Sequence, residues 1–408
     1  MHSFSSIKPS SCSSNLDREN SYTEYPSKEN PLYTPDGSIH REIEQAARHT
    51  LRLCIRNHCE NTPWYEQLLC AMDAQIEMLA SFYAFGETAI NASSLRILAQ
   101  SLRDDALIES YAPEKASVTV PAFSAAFVTM IGEYYQSSGD SEAAYELLPV
   151  MYEILSGFYG RMKHNDWMLP AYRQKEYWNF YEWAPGLSGE IGKEESPEEM
   201  SYDAPLFALV AMAFESYANL MMKLGTVDKN PRLYEEGDAA LHCRDELLER
   251  LNEYFLDRES GLYCTRLGVS LSDGSPIVPD APHYAELTQA LCVLAGAVSD
   301  DRLDALLDRI YKSDGLVPST RATGIFRYEA LMKKPEIYAP LVKKELELRL
   351  GSISNAESPV FYKTEGSDAQ RALCHDRLVF PIILYGKYRE FFFGESPKTD
   401  ISTKEAVL

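Results

Sequence analysis

Between residues 38 and 392, apolar side chains return every three or four positions in about twelve separate segments, and this spacing commits most of the chain to helices. In the first, Ile39, Ile43, Ala46, Ala47, Thr50, Leu53 and Cys54 share one face behind Ser38, a residue suited to cap a helix. The second contains residues 68–85 and stops at Gly86. Further helices are expected over 87–103, 122–136, 142–163, 205–224, 233–255, 283–295, 302–312, 325–332, 337–350 and 371–392.

The segments are of two kinds. Leu206 to Phe214 is apolar on every side, so that helix must be enclosed; Pro205 suits its first turn and Gly225 its end. The helix over 233–255 has one polar face. Alternation of enclosed and half-exposed helices predicts an all-α fold, an (α/α)6 toroid with an inner ring wrapped by an outer one. An irregular all-α domain or an α-solenoid would share much of this pattern. Two stretches, 167–183 and 261–279, read as short β-hairpins in the loops. Residues 1–37 are rich in Ser, Asn, Pro and charge and read as a linker-like tail, with 38–395 as the barrel and 396–408 as a second tail.

The chain carries 61 acidic and 39 basic residues, a net charge of -22, which repels phosphate backbones and anionic lipid. Neither nucleic acid nor membrane is an expected partner; oligomeric state is not encoded legibly. Eight scattered cysteines read as free thiols, and the first residues lack the apolar core of a signal peptide. A cytoplasmic location is the expectation.

Phosphate loops, the dinucleotide fingerprint and the zinc-protease helix motif are absent. Gly186-Leu187-Ser188-Gly189 is followed by Glu190, so it is no nucleophile elbow. The pairs His242-Cys243 and Cys374-His375 raise the question of zinc, but Asp376 follows the second pair and no further Cys is clearly placed to complete a ligand set.

The segment richest in chemistry runs from Cys59 to Gln75 and includes Asn61, Pro63, Trp64, Tyr65, Glu66 and Asp73. On one continuous helix, Glu66 and Asp73 would lie about 20° apart in azimuth and roughly 10 Å apart along the axis. Beside Trp64 and Tyr65, a carboxyl could lose water and gain the raised pKa of a general acid. On spacing alone, a helix-capping Glu66 and a solvated Asp73 are the plainer reading.

This segment, PWYEQLLCAMDAQ, resembles the signature of the α-L-rhamnosidases of glycoside hydrolase family 78. The resemblance places Glu66 at the general acid, Asp73 at an acidic sugar-binding position, and Asn61 where the family has Asp. Trp178-Asn179-Phe180-Tyr181-Glu182-Trp183 is similar to the family's W-x-F-x-D-W, with Glu182 for Asp. His283 to Leu291 resembles the approach to another inner helix, and Thr364-Glu365 followed by Ala372-Leu373-Cys374-His375 resembles its last motif, placing Glu365 at the general base. The resemblance spans about residues 38–392, the barrel alone. It implies sugar stacking on Trp64, Trp178 and Trp183, sugar contacts from Asn61, Asp73, Glu182 and His375, and no metal or organic cofactor. From the residues themselves, Asp203 reads as an N-cap, Glu286 as a polar-face residue and His283 as a structural histidine.

The implied reaction is inverting hydrolysis of a terminal sugar, α-L-rhamnose or a related one, with the two carboxyls roughly 6.5–9.5 Å apart to admit water. The expected partner is a carbohydrate or glycoside. Another toroidal carbohydrate-active enzyme, or a barrel that binds carbohydrate without turnover, are the alternatives.

Overall fold

The computed structural model describes residues 29–62, 67–113, 115–116, 118–354 and 376–394. The chain runs through α1 (Ile39–Cys54), β1 (Leu69–Cys70), α2 (Ala71–Phe85), α3 (Ala89–Ala99), β2 (Tyr111–Ala112), α4 (Pro121–Ser138) and α5 (Ser141–Lys163). It continues through β3 (Ser201–Asp203), α6 (Ala204–Asp228), α7 (Pro231–Arg250), β4 (Arg266–Val269), β5 (Pro276–Ile277), α8 (Glu286–Leu294) and α9 (Asp300–Lys312). It ends with α10 (Gly324–Leu331), α11 (Pro335–Ser354), α12 (Pro381–Lys387) and α13 (Arg389–Phe393).

The even-numbered helices pack on one another in sequence, α2 on α4, α4 on α6, α6 on α8 and α8 on α10. Asp376–Val379, a single 3-10 turn, and α12 return to α2 and close the ring. Outside it, α11 meets α1 and the odd-numbered helices cover the joints. This is the (α/α)6 toroid that the helix pattern predicts. Burial follows the pattern: α4 and α6 are covered nearly all round, whereas α9 buries Leu306, Leu307 and Ile310 alone. The helix α6 is long and apolar enough to cross a bilayer, yet here it is a wall of the ring. Its Phe207 meets Phe255 at 5.1 Å, and truncation to alanine would cost about 3–5 kcal/mol. At Gly132, α4 approaches α6 so closely that an added Cβ would lie 2.1 Å from Ser216 Oγ.

Because inner and outer helices alternate, the inner ones all run the same way and their N-terminal ends gather at one mouth. Backbone pairing laces the approaches together. β1 pairs antiparallel with β2, Leu69 opposite Ala112, and so joins the approaches to α2 and α4. Thr119 bridges Tyr177, joining α4 to the loop before α6. β3 pairs with β4, Asp203 opposite Arg266, joining α6 to the approach of α8. Ala285 bridges Val317, joining α8 to α10.

Two details differ from the sequence reading. Residues 29–34, within the expected tail, dock on the barrel. Glu44 and Arg48 on α1 are fully buried and need partners. Glu44 accepts from the Tyr33 and Thr34 N–H groups, and Arg48 donates to the Asn30 and Ala84 carbonyls. The stretch 167–183 forms no hairpin: Asn179 replaces a ladder by bonding both the N–H and the carbonyl of Tyr172. The hairpin expected within 261–279 is present as β4–β5. Five of the six described cysteines are buried, and Cys243, Cys264 and Cys292 among them are free thiols.

Candidate active site

A helix N-terminus leaves N–H groups without intrahelical partners and carries a partial positive charge, so a ring of such ends attracts carboxylates. Asp73 lies in the first turn of α2, Asp203 at the N-cap of α6 and Glu286 in the first turn of α8; all three are buried. Glu182, on the loop before α6, reaches across to the approach of α10. Its Oε2 accepts from the Thr320 N–H at 2.8 Å and the Thr323 hydroxyl at 2.7 Å. Oε1 is enclosed without a hydrogen-bond partner. Burial, aided by the charge of Glu286, raises the Glu182 pKa against these bonds.

The expected cap at Asp203 takes another form. It occupies the N-cap position, but its carboxylate makes no capping bond. It instead accepts from Arg266 at 2.8 and 3.2 Å, from Tyr181 Oη at 3.0 Å and from Ser201 Oγ at 3.0 Å. Opposite charges directly across two paired strands attract, and here one partner is almost wholly buried. Glu286 is likewise no solvated face residue. It lies 3.3 Å from Arg327, both side chains being 3% exposed, and accepts from Ser313 Oγ at 2.6 Å. Arg327 also binds Glu345. Burial keeps the His283 imidazole below its ordinary pKa, opposed by the Pro185 carbonyl. Its ring packs on Gly186, where an added Cβ would sit 2.8 Å away and φ is +79°.

Aromatic side chains form a wedge on the same loop. Trp178 lies 4.5 Å from Phe180 and 5.6 Å from Trp183, and Phe180 lies 4.8 Å from Trp183. The Trp178 indole N–H donates to the Ser188 carbonyl at 2.6 Å, fixing its ring. Trp183 is 54% exposed, the most open ring of the three.

Asn61 is buried and braces a loop: its Oδ1 accepts the Leu68 N–H at 3.2 Å, beside a backbone bond between the same residues. It thus brackets the segment that holds Glu66. The continuous helix carrying both Glu66 and Asp73 does not exist. Gln67 has φ +51°, Leu69–Cys70 pairs as a strand, and α2 starts at Ala71. The azimuth argument therefore falls, while Asp73 stays at the mouth. Trp64, Glu66, Glu365 and His375 lie outside the described residues. Arg266, Arg327, Thr320 and Thr323 escaped the sequence reading. Their carboxylate partners at the mouth, Asp203, Glu286 and Glu182, stand at least 41 positions away, and only the Asp203–Arg266 pairing had a local clue, a lone acid entering an apolar helix.

No protein-family model matches the chain, and no curated protein does. Solved structures do match. A GH78 family rhamnosidase of Bacillus sp. GL1 superposes with a TM-score of 0.70 at 20% identity, over 87% of this chain and 35% of that one. A rhamnosidase from Klebsiella oxytoca with rhamnose bound gives 0.69 at 16% identity, over 89% and 66%. A family 76 mannosidase from Bacteroides thetaiotaomicron gives 0.53 at 8% identity, over 86% and 98%. This chain thus spans about a third of the length of the first and just under two thirds of the second. At these identities the likeness establishes the fold, the six-hairpin toroid of the rhamnosidase type.

Proposed function

We propose that the chain is a glycoside hydrolase that releases a terminal sugar, α-L-rhamnose or a related one, at the mouth of the ring. One observation carries the reading: an exposed tryptophan wedge stands among carboxylates gathered at the inner-helix N-termini. A sugar ring has an apolar face for such a wedge and hydroxyls for carboxylate oxygens. The fold shared with two rhamnosidases supports the choice of sugar.

In this reading Glu66, protonated, donates to the leaving glycosidic oxygen, and Glu365, ionised, takes a proton from the water that attacks the opposite face. Asn61 fixes the loop ahead of the acid. Asp73 and the unpartnered Oε1 of Glu182 receive sugar hydroxyls, Trp183 stacks on the ring backed by Trp178, and His375 completes the contacts.

The test is a panel of aryl glycosides, α-L-rhamnoside and α-D-mannoside among them, followed by proton NMR of the first anomer released. Turnover of the rhamnoside with inversion supports the proposal. Retention would remove the two-carboxyl water mechanism, and turnover of the mannoside alone would move the chain to another toroidal glycosidase.

A further inference from the structure

Trp167 stands apart from the aromatic wedge, on the outer wall of the ring. Asp166 and Trp167 both have left-handed backbones, with φ of +49° and +64°. Glycine or asparagine holds such a backbone at less cost. The Trp167 N–H closes the end of α5 through the Met162 carbonyl at 2.8 Å, a bond that requires no indole. The ring itself meets Tyr159 edge-on at 5.9 Å and His242 at 5.6 Å, and so walls a cavity between α5 and α7.

That cavity holds about 410 Å³, within the roughly 300–1,000 Å³ typical of small-molecule sites. Its floor is apolar, built from buried Leu155, Phe214 and Ala240. Polar groups line it as well: Lys163 Nζ donates to Tyr159 Oη at 2.7 Å, and Glu236 accepts from Tyr217 at 3.4 Å. Tyr152 is 59% exposed at its edge. One lysine and one glutamate offset each other, so the cavity has no field to select an ion. A wholly apolar guest would strip water from these groups without replacing their hydrogen bonds. A neutral ring with one apolar face and hydroxyls at its edges satisfies both surfaces.

We propose that this lateral pocket is a second, non-catalytic binding site for a pyranoside, separate from the mouth. The choice of a sugar rests on the glycosidase reading; the pocket and its demand for a neutral, hydroxyl-bearing ring do not.

The test uses the full chain with labelled indole N–H groups, whose four signals are assigned by single Trp→Phe variants. Methyl α-L-rhamnopyranoside and methyl α-D-mannopyranoside are titrated in separate runs. One of them is expected to shift the Trp167 signal saturably, along a curve distinct from that of Trp178. Tyr152→Ala, at an exposed position, is expected to weaken the Trp167 curve about threefold to tenfold, the loss of one stacking partner. The Trp178 curve and hydrolysis should not change. A Trp167 signal that fails to move with either sugar, that ignores Tyr152→Ala, or that responds equally to plain phenol overturns the proposal. Absence of hydrolysis with a Tyr152-dependent Trp167 curve would sink the glycosidase reading and leave this one standing.

Discussion

The two ends of the ring treat the same side chain in opposite ways. At the mouth, carboxylates sit at helix N-termini, where the backbone field favours negative charge, and arginines or hydroxyls complete their bonding. At the foot, inner helices end in carbonyls, the negative end of the helix field. There Glu133, near the end of α4, takes a hydrogen bond from Gln75 at 3.0 Å, and burial pushes its carboxyl up to about 7. Lys387 ends α12, where a cation is favoured, and donates to Glu329 at 2.7 Å. The contrast teaches how each end holds its acids: the mouth surrounds them with arginine, hydroxyl and backbone donors, while at the foot Glu133 has one amide donor and burial raises its pKa.

The hardest way to break this contrast is to remove the cation beneath the mouth. Arg327→Met leaves Glu286 buried without its ion pair, at an expected cost of about 3–5 kcal/mol in urea unfolding. A cost below about 1 kcal/mol would mean that the carboxylate does not depend on Arg327. A milder change tests the wedge. Trp183→Ala should raise KM about tenfold, near the 1.4 kcal/mol of one lost stacking surface, with kcat changed less. Because the ring is half exposed, Tm should hardly move. A fall in Tm with KM unchanged would make Trp183 a packing residue.

At the foot the expected effect is smaller and depends on pH. The folded Glu133 carboxyl binds its proton near pH 7, against an ordinary value of 4.5. Between those values the folded state holds more protons than the unfolded one, so stability falls as pH rises through the window. Glu133→Gln removes that penalty. The variant should gain about 1 kcal/mol at pH 8, a figure reduced for the carboxyl's residual exposure, and nothing below about pH 4.5. Equal gains at both pH values would show that packing, not ionisation, is responsible.

Helix order was legible because a 3.6-residue period reports burial directly, and α6 could be recognised from nine consecutive apolar positions. The mouth was legible only in part. Asp73, Trp178, Glu182 and Trp183 stand out as residue types in short motifs, and all four lie in or beside the inner-helix approaches. Their supports did not stand out, since Thr320 and Thr323 lie 138 and 141 positions from Glu182 and Arg266 lies 63 from Asp203. The placement of Glu66 and Asp73 on one helix failed for a local reason. Leu69 and Cys70 find a strand partner in Tyr111–Ala112, and this long-range pairing overrides helical propensity. Residues 29–34 read as a tail because their partners, Glu44 and Arg48, look like ordinary surface charges in sequence.

The most direct measurement sets one end against the other: kcat/KM on an unactivated alkyl α-L-rhamnoside for Glu66→Gln and Glu133→Gln side by side. Loss of the general acid should lower the rate by about 10²–10⁴, while the foot variant stays within about twofold of wild type. Full activity in Glu66→Gln, or a collapse in Glu133→Gln with its fold intact, would contradict the assignment of the chemistry to the mouth.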